Sequence, residues 1–155
     1  MGIEAKFGNG TVVNRVALFQ MRVEQAFVML LKMLGEELVK YAKEQHNYTD
    51  RTGNLTNSIG YAIVKRRNIL YYGGSDQPGE GADAMLKTAV EFAAGLSADY
   101  SLIVVAGMNY AAYVEAVGYN VILPAELRAK SRVPAELSKL VKKVNSKAKD
   151  YFNYL

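Results

Sequence analysis

The chain has no cysteine and no tryptophan, only three prolines, and a single histidine, His46, among its 155 residues. Without cysteine there can be no disulfide, no thiolate nucleophile and no Cys-ligated zinc. One histidine leaves too few soft ligands for a transition-metal site, so neither metal nor cofactor is expected. Long hydrophobic runs are missing too. The longest, Ala26 to Leu31, falls far short of the roughly 20 apolar residues that span a bilayer. The opening Met1-Gly2-Ile3-Glu4-Ala5-Lys6 lacks the basic-then-apolar layout of a secretion signal, and Lys6 stands where a myristoylation signal wants Ser or Thr. Three Asn-x-Thr triplets, at Asn9, Asn47 and Asn54, therefore read as chance. The expectation is a soluble protein, intracellular when made, with no membrane association.

What is present is globular. Half of the residues are apolar and 22% are charged, a balance that buries a core rather than leaving a disordered chain. The length fits one domain spanning 1–155. The net charge of +4 is unevenly placed. Residues 126–155 hold eight Lys/Arg against three acids, a net of +5, which leaves the rest of the chain at −1. Attraction to an acidic partner therefore belongs to the C-terminal fifth.

Periodicity supplies the elements. After a Gly8-Asn9-Gly10 turn signal, a long helix is expected from Asn14, a candidate N-cap, to about Glu44. Val16, Phe19, Val23, Phe27, Leu30, Leu34, Leu38 and Tyr41 form its apolar stripe. Met21, Val28, Met29, Leu31 and Met33 lie off the stripe, which leaves two readings open. Either part of the helix overhangs its core and offers a second contact surface, or it kinks at Gly35 and is buried on two sides. In the polar segment Asp50 to Ile59, Thr52 is placed to cap one helical turn. Ile59, Tyr61 and Ile63 then alternate as a strand, Arg66-Arg67-Asn68 turns, and Ile69 to Tyr72 returns as the hairpin partner. A helix is expected over about 83–96, with Met85, Leu86, Ala89, Val90, Phe92 and Ala93 apolar. Ser101 to Val105 reads as a third strand. A short helix follows, with Tyr110, Tyr113, Val114 and Val117 on one face. Tyr119 to Leu123 reads as a fourth strand or extended arm. Pro124 and Pro134 punctuate the route to a basic helix over about 134–152, with Leu137, Leu140, Val141, Val144 and Ala148 inward. The class is α+β: a long N-terminal helix on a small, mainly antiparallel sheet, with an inserted helix and a C-terminal helix.

Catalytic material is thin. His46 sits at a helix end among polar neighbours, and Glu44 is too generic a neighbour to orient it as a base. Glu91, Asp99 and Glu115 lack the paired spacing of acid–base catalysis. Gly79-Glu80-Gly81-Ala82-Asp83-Ala84 matches the dinucleotide-binding spacing, with Asp99 about twenty residues beyond. Six residues including Pro78 separate it from Tyr72, however, and the preceding strand belongs to a hairpin rather than a βαβ unit. No small-molecule substrate and no enzymatic step are expected. On the C-terminal helix, Lys139, Lys142, Lys143 and Lys147 form either a solvated face or a contact to DNA or an acidic protein surface. An Arg-rich, aromatic-interleaved face that would read bases is missing.

Two segments together carry a resemblance. Thr52-Gly53-Asn54-Leu55-Thr56-Asn57-Ser58-Ile59 resembles the Thr-Gly-x-Leu-x-x-Ser-Ile motif of the phage head–tail joining, or tail-completion (neck), proteins, the family typified by the tenth gene product of a lambdoid phage. Tyr110-Ala111-Ala112-Tyr113-Val114-Glu115-Ala116-Val117-Gly118 resembles that family's Tyr-Ala-x-(Tyr/Phe)-Val-Glu-x-Gly motif. The order of elements agrees over about residues 14–125. Three features depart from the pattern. The stretch from Glu115 to Tyr119 has one extra residue and lacks the usual Thr. The helix over 83–96 looks like an insertion. The family's proline-flanked segment survives only as Val121-Ile122-Leu123-Pro124-Ala125. The resemblance implies a non-enzymatic virion protein, made in the bacterial cytoplasm and located at the head–tail junction. It would form a homo-oligomeric ring and meet connector, adaptor and tail proteins, and within such a ring the excess positive charge of residues 126–155 is expected to offer a contact to channel DNA that does not read sequence. It also implies structural roles for Thr52, Gly53, Leu55, Ser58, Ile59, Tyr110, Ala111, Tyr113, Val114, Glu115 and Gly118. From the residues themselves, Leu55 and Ile59 are expected in the core, and Glu115 partly buried with a partner. The alternative is a nucleic-acid-associated or adaptor module that uses the basic C-terminal helix.

Overall fold

The computed structural model describes residues 9–153 and has an α+β fold. Its elements are α1 (Asn9–Glu44), α2 (Asn54–Asn57), β1 (Ile59–Lys65), β2 (Asn68–Gly73), α3 (Glu80–Ala93), β3 (Ser101–Ala106), α4 (Ala111–Ala116) and α5 (Leu123–Phe152). They divide into two compact units: residues 31–133, and residues 9–30 together with 134–153.

In the central unit, three antiparallel strands take the order β2-β1-β3. Arg66 and Arg67 both have positive φ, 46° and 71°, the two-residue turn whose twist matches a hairpin. Asn68 thus begins β2 rather than completing the turn. Register runs Tyr61↔Gly73, Ala62↔Tyr72 and Ile63↔Tyr71, then shifts at a bulge between Ile63 and Val64. As the middle strand, β1 is buried from Ile59 through Val64. One of its faces meets α1, where the Tyr61 ring lies against Gly35. The other meets α3, where Ala62, Met85, Ala89 and Val105 form a core cluster joined by Ile69 and Ile103. Leu31, Leu34, Leu38, Val39 and Ala42 of α1 are buried as well. Glu37 of α1 joins the first part of α5, accepting hydrogen bonds from Arg128 at 3.0 Å and from Arg132 at 2.9 Å.

The other unit is a helix pair with a different character. Phe19 of α1 packs on Tyr151 and Phe152 of α5, with ring centroids 5.4 and 5.3 Å apart. No residue from Gly10 to Leu30 or from Pro134 to Asn153 is fully buried.

Several expectations change. Asn9 and Gly10 are helical, so the turn signal fails there, and Gly8 lies outside the described residues. The helix is therefore already running at the expected cap, Asn14. The upper stripe (Val16, Phe19, Val23, Phe27, Leu30) is exposed or half-buried, while Leu34 and Leu38 are buried. The inserted helix begins at Glu80 and ends at Ala93, short of the expected Leu96. Tyr119 to Leu123 forms no strand; α5 begins at Leu123 and passes through Pro134 instead of starting there. Pro124, in the first turn, lacks only an N–H that no helix would use. Val141 is not inward but 56% exposed.

Candidate functional site

Ser58 ties the first motif to the residues that lead into the second. Gly53 takes the left-handed conformation (φ 76°) that opens α2, where any Cβ is strained. Thr52 is a weak cap: its Oγ1 accepts the Asn54 N–H at 3.3 Å. The stronger cap is Asp50, unnoticed in the sequence, whose Oδ2 accepts the Thr56 N–H at 2.7 Å. A carboxylate suits this position because it also meets the positive end of the helix dipole. Leu55 and Ile59 enter the core at 3% and 0% exposure. Ser58 is fully buried and fully used. Its Oγ donates to the Leu55 carbonyl at 2.7 Å and accepts the Met108 N–H at 3.3 Å. The Gly107 N–H donates to the Ser58 carbonyl at 3.0 Å. The first motif therefore anchors the chain just before the second.

Asn57 organises the neighbouring loop. Its Oδ1 accepts the N–H groups of Asp76 and Gln77 at 2.9 and 3.1 Å, and its Nδ2 donates to the Gln77 carbonyl at 2.6 Å. Lys43 reaches the same loop, bonding the Gly74 carbonyl and, at 2.6 Å, Asp76.

In the second motif, Ala111 is the buried residue of α4 and Val114 is half-buried. The aromatic side turns outward: Tyr113 is 70% exposed, Val117 52% and Tyr119 46%. Tyr110 keeps its proton more tightly than a free phenol, through partial burial and then the charges of Asp50 and Glu80. Gly118 (φ 99°) ends the helix, with its own N–H on the Glu115 carbonyl and the Tyr119 N–H on the Val114 carbonyl. That paired closure needs a residue at ease in the left-handed region. Glu115 is half-buried, and its Oε1 accepts the N–H groups of Ile122 at 3.1 Å and Leu123 at 2.6 Å. It caps α5, using two backbone donors that the helix start would otherwise leave open.

The four lysines separate into different settings. Lys139 pairs with Glu136 at 3.2 Å. Lys143 and Lys147, with Arg22 of α1, border a groove of about 220 Å³. Its apolar lining comes from Phe19, Val23, Ala26, Leu140, Val144 and Tyr151. Lys142 is exposed outside it.

The decoys acquire structural explanations. His46 Nδ1 sits 2.6 Å from the Lys43 carbonyl, exposed at the end of α1. Gly81 is packed so tightly on α2 that a Cβ would stand 2.6 Å from the Asn54 carbonyl oxygen, and Asn54 Nδ2 donates to Glu80 at 2.9 Å. This glycine spacing serves helix-to-helix contact and follows an antiparallel strand, unlike a phosphate loop. Among the described residues, no three His, Asp or Glu side chains cluster as metal ligands, and no helix is long and apolar enough to cross a membrane. Compared with family models, curated proteins and solved structures, the chain matches none.

Proposed function

We propose that this protein is a structural component of a tailed-phage virion, joining the head connector to the tail by assembling into a ring, with no chemical step. The observation that carries this reading is the outward display of the second motif and the residue after it. Tyr113, Val117 and Tyr119 are about half exposed or more, yet their backbone is held by the Gly118 closure and the Glu115 cap. Large apolar groups held fixed in water mark a surface that another protein covers. The order of the two motifs along the chain supports a head–tail joining protein in particular, and Ser58 holds the segment that leads into the second motif. Its partners on this reading are further copies, the connector-side adaptor and tail proteins, and its place is the head–tail junction.

A second reading, a nucleic-acid-associated or adaptor module, draws on α5. Lys142, Lys143 and Lys147 form no ion pair among the described residues. Light scattering coupled to size-exclusion chromatography separates the two. The ring reading expects closed oligomers whose population rises with concentration. A protein that stays monomeric over the whole accessible range overturns it and leaves the module reading. Portal, capsid and tail-tube genes beside the coding sequence are the expected genomic setting.

A further inference from the structure

The two edges of the sheet are finished differently. Gly107 donates its N–H to the Ser58 carbonyl, which fixes the phase of the antiparallel β1–β3 ladder. Ser101, Ile103 and Val105 exchange bonds with β1, while Leu102, Val104 and Ala106 turn their N–H and C=O groups away from it. β3 is the last strand on that side, and among the described residues no hydrogen bond reaches those outward groups. From Ser101 to Ala106 it has no charge, proline, glycine or bulge. The opposite edge, β2, is guarded. Arg66 and Arg67 stand just before it, Gly73 ends it, and the bulge between Ile63 and Val64 breaks its ladder. Charges and bulges are what folded proteins place on an edge to keep other strands away. β3 has neither, and a regular apolar strand with an open backbone is a template for one more strand.

We propose that this edge pairs with β3 of a second copy of the chain, antiparallel about a two-fold axis at Val104. The outward residues are spaced evenly on either side of Val104. In that register Val104 meets its own counterpart, Leu102 meets the partner's Ala106, and each such pair exchanges both of its backbone bonds. Ile103 then lies opposite the partner's Val105, on the face that packs against α3. Cross-strand pairs of β-branched residues strengthen a ladder of this kind. The occupant is a strand, because only an extended main chain meets open N–H and C=O groups at every second residue. It is a copy of β3 because the open positions are symmetric about one residue and the segment is uncharged, so nothing in it repels its own image. Every position from Leu102 to Ala106 faces an apolar residue in that register, and Ser101 faces Gly107. The joined sheet runs β2-β1-β3-β3-β1-β2. An isologous contact closes on itself, so it pairs copies rather than extending a ring, and it stands whether or not the ring forms.

Amide hydrogen exchange on the wild type tests the pairing without a mutation. The N–H groups of Leu102, Val104 and Ala106 should exchange at least ten-fold more slowly as concentration rises into the range where sedimentation velocity shows association. Those of Leu70 and Tyr72 in β2 should not change. Exchange at the three β3 amides that ignores concentration overturns the proposal, and so does slowing at Leu70 and Tyr72 instead. A wild type that remains monomeric overturns it too and leaves the edge to a strand from another protein. Charge at the axis tests the register. Val104 is half-buried at the edge, where a longer side chain can carry its charge into water in a single copy. In a pair, Val104→Lys sets two like charges directly opposite each other, which is destabilising, and Val104→Glu does the same. Circular dichroism and thermal melts verify that both variants fold. Each alone should pair at least ten-fold more weakly than the wild type, and an equimolar mixture of the two should recover most of that loss. Variants that pair like the wild type, or that stay weak when mixed, overturn the contact.

Discussion

Gly35 of α1 lies so close to Tyr61 of β1 that a Cβ at position 35 would stand 2.3 Å from Tyr61 Cδ2. The tyrosine cannot swing aside freely. It is fully buried, and its hydroxyl donates to Glu36 at 2.8 Å. The glycine is therefore where α1 makes room for the Tyr61 ring, and the helix runs through it without a break.

Gly35→Ala tests that closeness. Helix propensity alone favours alanine by about 1 kcal/mol, whereas forcing volume into a packed core costs about 1–3 kcal/mol. The expected result is a net loss, read as a lower urea midpoint at unchanged slope. Equal or greater stability would mean that α1 can move off the sheet at no cost.

Leu55→Ala should be among the most damaging changes in the first motif. Leu55 is 3% exposed, and its removal opens a cavity beneath a helix of one turn. A loss of about 2–4 kcal/mol is expected by urea unfolding. A loss below about 0.5 kcal/mol would place Leu55 at a surface.

Glu37 gives the fold a pH dependence of definite sign. Hydrogen bonding from Arg132 comes first, then Arg128, and together they hold its carboxyl below the ordinary value of 4.5 despite some burial. The native state thus favours the ionised form. The contribution is complete above the ordinary value and is lost as pH falls through the lower native one. Glu37→Gln should therefore be less stable than wild type at neutral pH, and the gap should shrink in acid. A gap independent of pH in urea unfolding would assign the loss to shape rather than charge.

Glu115→Gln should preserve the fold, since an amide oxygen still accepts the two N–H groups at the start of α5. Glu115→Ala should lose about 1 kcal/mol, as capping substitutions do. Hydrogen exchange should then speed up at Ile122 and Leu123 first. Unchanged protection at both amides would exclude the capping role.

DNA binding by the assembled protein should go through the lysines of α5. Replacing Lys139, Lys142, Lys143 and Lys147 by Gln should flatten the salt dependence of DNA binding by about 0.9 for each phosphate that is no longer neutralised. An unchanged slope at two salt concentrations would leave these lysines as a solvated face.

The hairpin and third strand were legible almost residue by residue, because β-branched alternation and a two-residue turn are local signals. Leu55 and Ile59 were legible as core residues of the first motif, whereas the burial of Ser58 was not, since a serine in a polar segment carries no local sign of it. The start of α5 was not. Pro124 and Pro134 both read as breaks, yet one lies in the first helical turn and the other inside the helix. Asp50 was hidden because its capping bond skips to Thr56 across a left-handed glycine. The cationic groove was hidden for a different reason. Its two walls, around Phe19 and around Val144, stand more than a hundred residues apart, and periodicity reports which side of a helix is apolar without naming what faces it.

That separation gives the chain an order in time. The groove's first wall leaves the ribosome before the sheet unit and its second wall after it. At about 5–20 residues per second, the intervening 31–133 stretch has seconds in which to fold as a contiguous block. The sheet unit can thus be complete while the groove is still half-made, and the groove's lining closes only when the last residues of the chain have emerged.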